Sequence, residues 1–322
     1  MSAAARATVS VVIPTYNRAH VVGEAVKSAL DQSAPAEEII VVDDGSTDGT
    51  KEALASFGEQ IVVLKQANQG AAAARNTGAA RAVGDWIAFL DSDDLWIPDR
   101  LAALLRDAAS NDMEPVAHVG NVRFVGPGYD QDYFSLRRFD YPQGAAVRVD
   151  RPIDFPISSF FLQAAAVRRH AFLAAGGFDA SLRVHEDADL FCRLALAGPW
   201  LITGDVLAQV RRNEMDAIAL SNDRLDRPAT YRRDRVAMLE KLSNAPLLSD
   251  ERIFVQRNLS GALYELAEAE FPNAPVRARR TLLRAAWTHP DHLRGFMKIA
   301  PPLLAGRFGF RLRPKRGREF RR

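Results

Sequence analysis

Ile39-Ile40-Val41-Val42-Asp43-Asp44-Gly45-Ser46-Thr47-Asp48 is the stretch on which the fold turns. A run of apolar residues bounded by polar ones predicts a strand buried on both faces. Carboxylates follow it at once, and Ser46, Thr47 or Asp48 can cap the next helix. The same grammar recurs on either side. Val9 to Ile13 is a short apolar run stopped by Pro14, and Ile61 to Leu64 is another. Trp86 to Leu90 leads straight into Asp91-Ser92-Asp93-Asp94. Between these runs lie helical patterns: Ala19 to Leu30, the alanine-rich Gly70 to Ala82, and Asp99 to Ala109 with Pro98 at its start. Strands alternating with helices predict an α/β fold, with a mostly parallel sheet covered by helices on both faces. Ligands of such sheets bind beyond the carboxyl ends of the strands, where both acidic clusters fall. Carboxylates crowded there call for a cation or several hydrogen-bond donors between them.

Beyond Val116 the pattern becomes irregular up to Ser159. It holds Gly126-Pro127-Gly128 and aromatics at Tyr129, Tyr133, Phe134, Phe139 and Tyr141. Such a stretch is either an ordered functional loop or a peripheral packing element. From Arg168 a helix, a Gly176-Gly177-Phe178-Asp179 turn, a second helix (Glu186 to Ala197) and a strand (Leu201 to Val210) are readable. After Asn222 the chain reads as helical to about Ala305. The expected organisation is a catalytic region at 1–212 (nucleotide half about 8–112, acceptor half about 113–212), a helical region at 213–305 and a basic tail at 306–322.

Composition narrows the classes. The 322 residues are 48% hydrophobic and 25% charged, as in an ordinary globular protein. The single cysteine, Cys192, excludes a disulfide framework and a multi-cysteine metal site, and reads as a buried inert thiol. No histidines show metal-ligand spacing, and His185 reads as a solvated loop residue. The first residues do not resemble a secretory signal, and no run approaches the roughly 20 apolar residues of a membrane span. The expected address is a reducing cytosol. The net charge of +2 is uneven: Gly306 to Arg322 has eight basic residues and one acid, net +7, leaving −5 for the rest. Nucleic acid is therefore not an expected partner. The tail, with apolar residues such as Phe308 and Phe310 among its cations, fits either peripheral contact with an anionic membrane or a helix packed on the body with a basic end.

Five segments occur in order: Val12-Ile13-Pro14-Thr15-Tyr16-Asn17-Arg18; Val42-Asp43-Asp44-Gly45-Ser46-Thr47-Asp48; Asn68-Gln69-Gly70 with Ala74-Arg75-Asn76; Asp91-Ser92-Asp93-Asp94; and Glu186-Asp187 with Asp189-Leu190. Together they resemble the motif series of family-2 inverting glycosyltransferases, over roughly residues 8 to 212. The resemblance implies the GT-A fold and transfer from a nucleotide diphosphate sugar, with Mn2+ or Mg2+, to a saccharide or lipid-linked saccharide acceptor. It implies cell-surface polysaccharide or glycolipid assembly at the inner face of the membrane. The Gln-x-x-Arg-Trp element of processive relatives is missing, so addition of a single sugar is expected. Sugar nucleotidyltransferases share a similar sheet, but need a glycine-rich loop where this chain has Pro14-Thr15-Tyr16-Asn17. A sugar-nucleotide-binding protein without catalysis is the remaining alternative.

Each position carries a chemical role and a structural counter-reading. Asp44, acceptor-only when ionised, suits the imide N–H of uracil or thymine or the N–H groups of guanine, or else stabilises a turn. The resemblance puts Pro14, Thr15 and Tyr16 beside it as the wall of the base site. Asp91 and Asp93 suit a hard divalent ion, which takes one or two carboxylates plus phosphate oxygens. Asp93 is the expected direct ligand, with Asp91 acting through water or the ribose and Ser92 alongside. Asp187 is the expected general base by resemblance, and Glu186 fits dipole stabilisation at a helix start. Arg75 and Asn76 either orient the acids or touch the diphosphate, and Arg75 is equally an ordinary salt-bridge partner. Arg211-Arg212-Asn213 stands where many relatives carry Arg-x-His; the missing histidine tells against a metal role there, while either arginine could still meet phosphate.

Overall fold

The computed structural model describes residues 7–110, 114–158, 161–211 and 228–289. The chain forms two compact units, Met1–Ala219 and Leu220–Arg322.

The first unit is built on a ten-stranded sheet with the order β3-β2-β1-β4-β9-β6-β10-β5 along its main path. Its parallel side comprises β1 (Val9–Thr15), β2 (Glu38–Asp43), β3 (Val62–Lys65) and β4 (Trp86–Phe89). The other side holds β5 (Leu95–Trp96), β6 (Ala117–Gly126), β9 (Ala165–Arg168) and β10 (Trp200–Arg211). β9 runs antiparallel to both β4 and β6, so β6 and its parallel neighbour β10 point the same way as β4. Short strands β7 (Tyr129–Asp132) and β8 (Val147–Val149) pair antiparallel with β6 and β10.

Helices cover both faces. α1 (Val22–Leu30) and α4 (Arg100–Ala109) bury Val22, Val26, Leu101 and Leu104 in one core with Val11, Ile13 and Val41. α3 (Ala71–Arg81) lies on the opposite face, over Val12 and Val42. There a Cβ on Gly78 would stand 2.5 Å from Val12 Cγ1 and 3.2 Å from Val42 Cγ2. The alanine-rich sequence of α3 thus serves close approach to the sheet. α2 (Thr50–Ala55), α5 (Tyr133–Arg137), α6 (Asp154–Ser158), α7 (Arg169–Ala174) and α8 (Glu186–Ala197) complete the unit.

Two expectations need correction. β1 does not stop at Pro14 but runs on to Thr15. Pairing with β4 ends at Val12, whose carbonyl accepts from Leu90 N, while β2 continues beside β1 to Thr15. The amide that Pro14 lacks would face the β4 side, where no ladder remains. The stretch expected to be irregular also contains β6, ten residues long, which turns through Gly126-Pro127-Gly128 into β7. Its aromatic residues are largely packing elements: Phe134, Phe139 and Tyr141 pack on one another and on Phe155, which meets Trp200.

The second unit is helical: α9 (Pro228–Ser243), α10 (Ser249–Glu270) and α11 (Pro275–Thr288). Glu270, 3% exposed near the end of α10, accepts from Arg233 and pairs with Arg277. The tail, residues 212–227 and the expected helix beyond residue 290 lie outside the described residues.

Candidate active site

The carboxyl ends of β1, β2 and β4 share one edge of the sheet, because β1 is parallel to both neighbours. Asp44, immediately after β2, is buried and donates its backbone N–H to the Thr15 carbonyl. Its Oδ1 accepts from Gln66 Nε2 at 2.8 Å and Gln69 N at 2.9 Å, and its Oδ2 from Gly70 N at 2.8 Å. Asp44 therefore ties the end of β2 to the segment that opens α3. Gly45, at φ 82, keeps that approach possible, since a Cβ there would meet Asn68 N at 3.0 Å. Asp43 takes the turn role, accepting from Ser46 N, and Asp48 accepts from Thr50 N ahead of α2. Pro14 and Thr15 are buried, whereas Tyr16, just past the end of β1, is 37% exposed. Thr15 Oγ1 is buried without a hydrogen-bond partner among the described residues.

Arg75 organises the second cluster. It is 5% exposed; Nη2 donates to Asp91 Oδ1 at 2.6 Å and Nη1 to Glu186 Oε1 at 2.8 Å. Burial works against its charge, but Asp91, Glu186 and Asp187 outweigh it and hold the guanidinium above its usual pKa. Its Cζ also lies 5.5 Å from the centre of the Phe178 ring. Asn76 fixes that ring, donating to the Phe178 carbonyl at 2.8 Å and accepting from Phe178 N at 2.9 Å. Gly177, at φ 70, makes room, because a Cβ there would sit 2.6 Å from Asn76 Oδ1. Arg193 of α8 holds the same turn through the carbonyls of Ala175 and Gly177, and pairs with Asp189. Asn76 is thus engaged as a clasp for the Gly176-Gly177-Phe178-Asp179 turn.

The other oxygen of Asp91 accepts from Gln163 Nε2 at 2.6 Å. Gln163 lies in the 3₁₀ turn before β9, in the stretch that carried no motif. Asp93, with 31% of its side chain exposed, faces Arg18 Nη2 at 3.4 Å. Ser92 is buried between them in sequence. Asp94 is structural: it accepts from Arg211 N and fixes the end of β10. Arg211 turns its side chain to Glu24, and Arg212 and Asn213 lie outside the described residues.

At the start of α8, Glu186 is 7% exposed and Asp187 half-buried. Burial, then the Asp187 charge, push the Glu186 carboxyl up to about 7, with Arg75 pulling the other way. Burial likewise raises the Asp187 carboxyl; Ala188 N, at 2.7 Å, and Arg75 oppose this, and the Asp91 charge adds to it. His185 lies, as expected, in the loop that leads into α8, half-buried and at φ 66. Cys192 is buried, and desolvation pushes its thiol up, away from nucleophilic chemistry.

The model of the family described as "Glycosyl transferase family 2" matches residues 10–172, and the positions above that fall in that span lie on its matched segment. The chain belongs to glycosyl transferase family 2. The UDP-Glc:alpha-D-GlcNAc-diphosphoundecaprenol beta-1,3-glucosyltransferase WfgD of Escherichia coli is 40% identical over 95 residues, covering 29% of this chain and 38% of that protein. Alignments with the first curated relatives span only 17 to 38% of their length. S. aureus TarS 1-349 in complex with UDP-GlcNAc superposes with a TM-score of 0.66 at 18% identity, covering 94% of this chain and 93% of that one. The mannosyltransferase PcManGT of Pyrobaculum calidifontis, in complex with GDP-Man and Mn2+, gives 0.58 at 21%, covering 93% and 86%. These likenesses show that the fold is that of GT-A glycosyltransferases.

Proposed function

We propose that this family-2 chain is a metal-dependent, inverting, non-processive glycosyltransferase. It moves one sugar from a UDP-sugar to a hydroxyl of a saccharide or lipid-linked saccharide in cell-surface glycan assembly, with residues 1–212 as the catalytic region. The observation that carries this reading is the bridge through Arg75: one guanidinium bonds Asp91 in the donor-side cluster and Glu186 beside Asp187. Two acidic motifs far apart in sequence are thereby held around one cation.

Asp44 reads the base. An ionised carboxylate offers about four acceptor positions, and three donors already occupy it. The position left suits the single imide N–H of uracil better than the paired donors of guanine. The exposed ring of Tyr16 offers a stacking face. Among the described residues no group of three or more acidic, histidine or cysteine side chains could hold a metal alone. Asp93, partly exposed with Asp91 two positions away, fits a magnesium or manganese ion that takes its other ligands from a diphosphate. When bound, that ion would neutralise charge on the departing diphosphate. Asp187, deprotonated, takes the acceptor hydroxyl proton as that oxygen attacks the anomeric carbon opposite the leaving group, which inverts the configuration. The names and ligands of WfgD, TarS and PcManGT support a sugar-nucleotide donor, a lipid-linked acceptor and a divalent ion. No helix among the described residues is long and apolar enough to cross a membrane. The charge of the tail supports contact with the inner membrane face.

Purified Asp187→Asn tests this reading. Transfer is expected to drop about 100- to 10,000-fold while the thermal shift given by UDP-sugar with Mn2+ survives. Asp93→Ala is expected to lose the metal-dependent part of that shift. Near-normal turnover of Asp187→Asn would sink the assignment, and a wild type that binds donor without transfer or hydrolysis would favour the non-catalytic binding protein.

A further inference from the structure

The helix α11 has two unlike sides. Ala278, Leu282 and Ala285 are buried, with Leu282 packed near Ala267 of α10 and the Ala285 carbonyl accepting from Ser260. At 100° per residue, Val276, Leu283 and Trp287 line up on the opposite side. They are 63%, 46% and 89% exposed, the last being more exposed than any other large hydrophobic residue described. Arg280, which is exposed, borders this stripe on one side and Arg279 on the other. The helix contains Arg277, Arg279, Arg280 and Arg284 and no acid, with Arg277 paired to Glu270 of α10 and Arg284 to Glu240 of α9, so the charge on this face is carried by Arg279 and Arg280.

We infer that the Val276–Leu283–Trp287 face of α11 docks on an anionic lipid surface. An indole and two aliphatic chains among arginines match a helix lying in the headgroup layer, apolar side chains inward and guanidinium groups at phosphate level. Charge selects this occupant over others. In a two-fold contact with a second copy the same patch would meet itself, arginine against arginine. Residues 290–322 are no better matched, with ten basic residues and two acids. Negative headgroups over an apolar layer satisfy both parts of the face. The inference does not depend on the donor or the reaction, and it concerns a different segment from the tail.

The test uses the full chain and its own fluorescence. Trp86, Trp96 and Trp200 are 0%, 4% and 0% exposed, so Trp287 is the solvent-facing indole. Vesicles of phosphatidylcholine with phosphatidylglycerol are expected to shift the emission to the blue and reduce acrylamide quenching. Phosphatidylcholine alone should do neither, and Trp287→Phe should abolish the lipid-dependent change. Trp287→Ser with Leu283→Ser is expected to lower partitioning about tenfold at high salt, where the tail is screened. If that variant folds poorly, the wild-type fluorescence decides alone. The inference is overturned if the chain fails to bind the anionic vesicles, or binds them with unchanged emission and quenching. An emission shift that grows with protein concentration without lipid would also overturn it, in favour of a second copy.

Discussion

At Asp91 the two carboxylate oxygens meet donors of different kinds, Arg75 on one side and Gln163 on the other, both at 2.6 Å. The arginine fixes charge; the amide fixes only orientation. Partners that orient a ligand-binding carboxylate are typically worth 10- to 100-fold in affinity or activity. Gln163→Ala is therefore expected to raise the donor KM about tenfold with kcat less affected, whereas Gln163→Glu should do worse by facing one acid with another. Unchanged steady-state kinetics in Gln163→Ala would remove it from the site. Asp44, Asp91 and Asp93 were legible because each follows a strand end, and Asp187 because of the resemblance, its helix-start position fitting Glu186 equally well. Gln163 was not. Its contact spans 72 residues, and nothing near it in sequence points to a carboxylate. Asn76 was half legible: its motif marked it, but the Phe178 backbone it clasps lies 102 residues away.

The elements show the same division. β1, β2 and β4 were readable because a strand buried on both faces needs continuous apolar residues, and these have them; β3, at the sheet edge, shows the same apolar run although it is half exposed. β6 is also buried, yet its sequence, Ala-His-Val-Gly-Asn-Val-Arg-Phe-Val-Gly, breaks that rule. His118 is fully buried but bonded to Asp107 at 2.8 Å, and Asn121 donates to Asp132 at 2.7 Å. Polar residues can occupy a core strand when distant partners satisfy them, and those partners are invisible in the local pattern. Helix α3 makes the converse case, where propensity misleads. Replacing Gly78 with alanine should favour an isolated helix by about 0.5–1 kcal/mol. Here the new methyl would press on Val12, a stiff β-branched neighbour, and overpacking costs about 1–3 kcal/mol. Gly78→Ala is expected to lower stability in urea denaturation and, by displacing Arg75 on the same helix, to weaken donor binding. A more stable variant with unaltered binding would show that α3 has slack over the sheet.

For the molecule as a whole, the grouping of Asp91, Glu186 and Asp187 around Arg75 should couple stability to pH. Glu186 has an ordinary value of 4.5 and is raised to about 7 in the folded chain, first by burial and then by the Asp187 charge. Below the ordinary value it is protonated in both folded and unfolded states, and its contribution to stability is fully present. As pH climbs through about 7 the folded chain must ionise a buried carboxyl beside another acid, and that contribution is lost. The free chain should therefore lose stability between about pH 5 and 8, the reverse of a carboxylate held low by a salt bridge. Glu186→Gln should flatten the slope, because the amide does not titrate. Denaturation followed through the buried indoles of Trp86, Trp96 and Trp200 reads the first unit, where this group lies. When Asp187 titrates, Glu186 is still protonated and carries no charge, so the neutral amide of Glu186→Gln should leave the acid limb of turnover where it is. Stability that rises toward pH 8 in the wild type, or an acid limb that moves to lower pH in Glu186→Gln, would mean that Arg75 outweighs burial and keeps Glu186 ionised throughout.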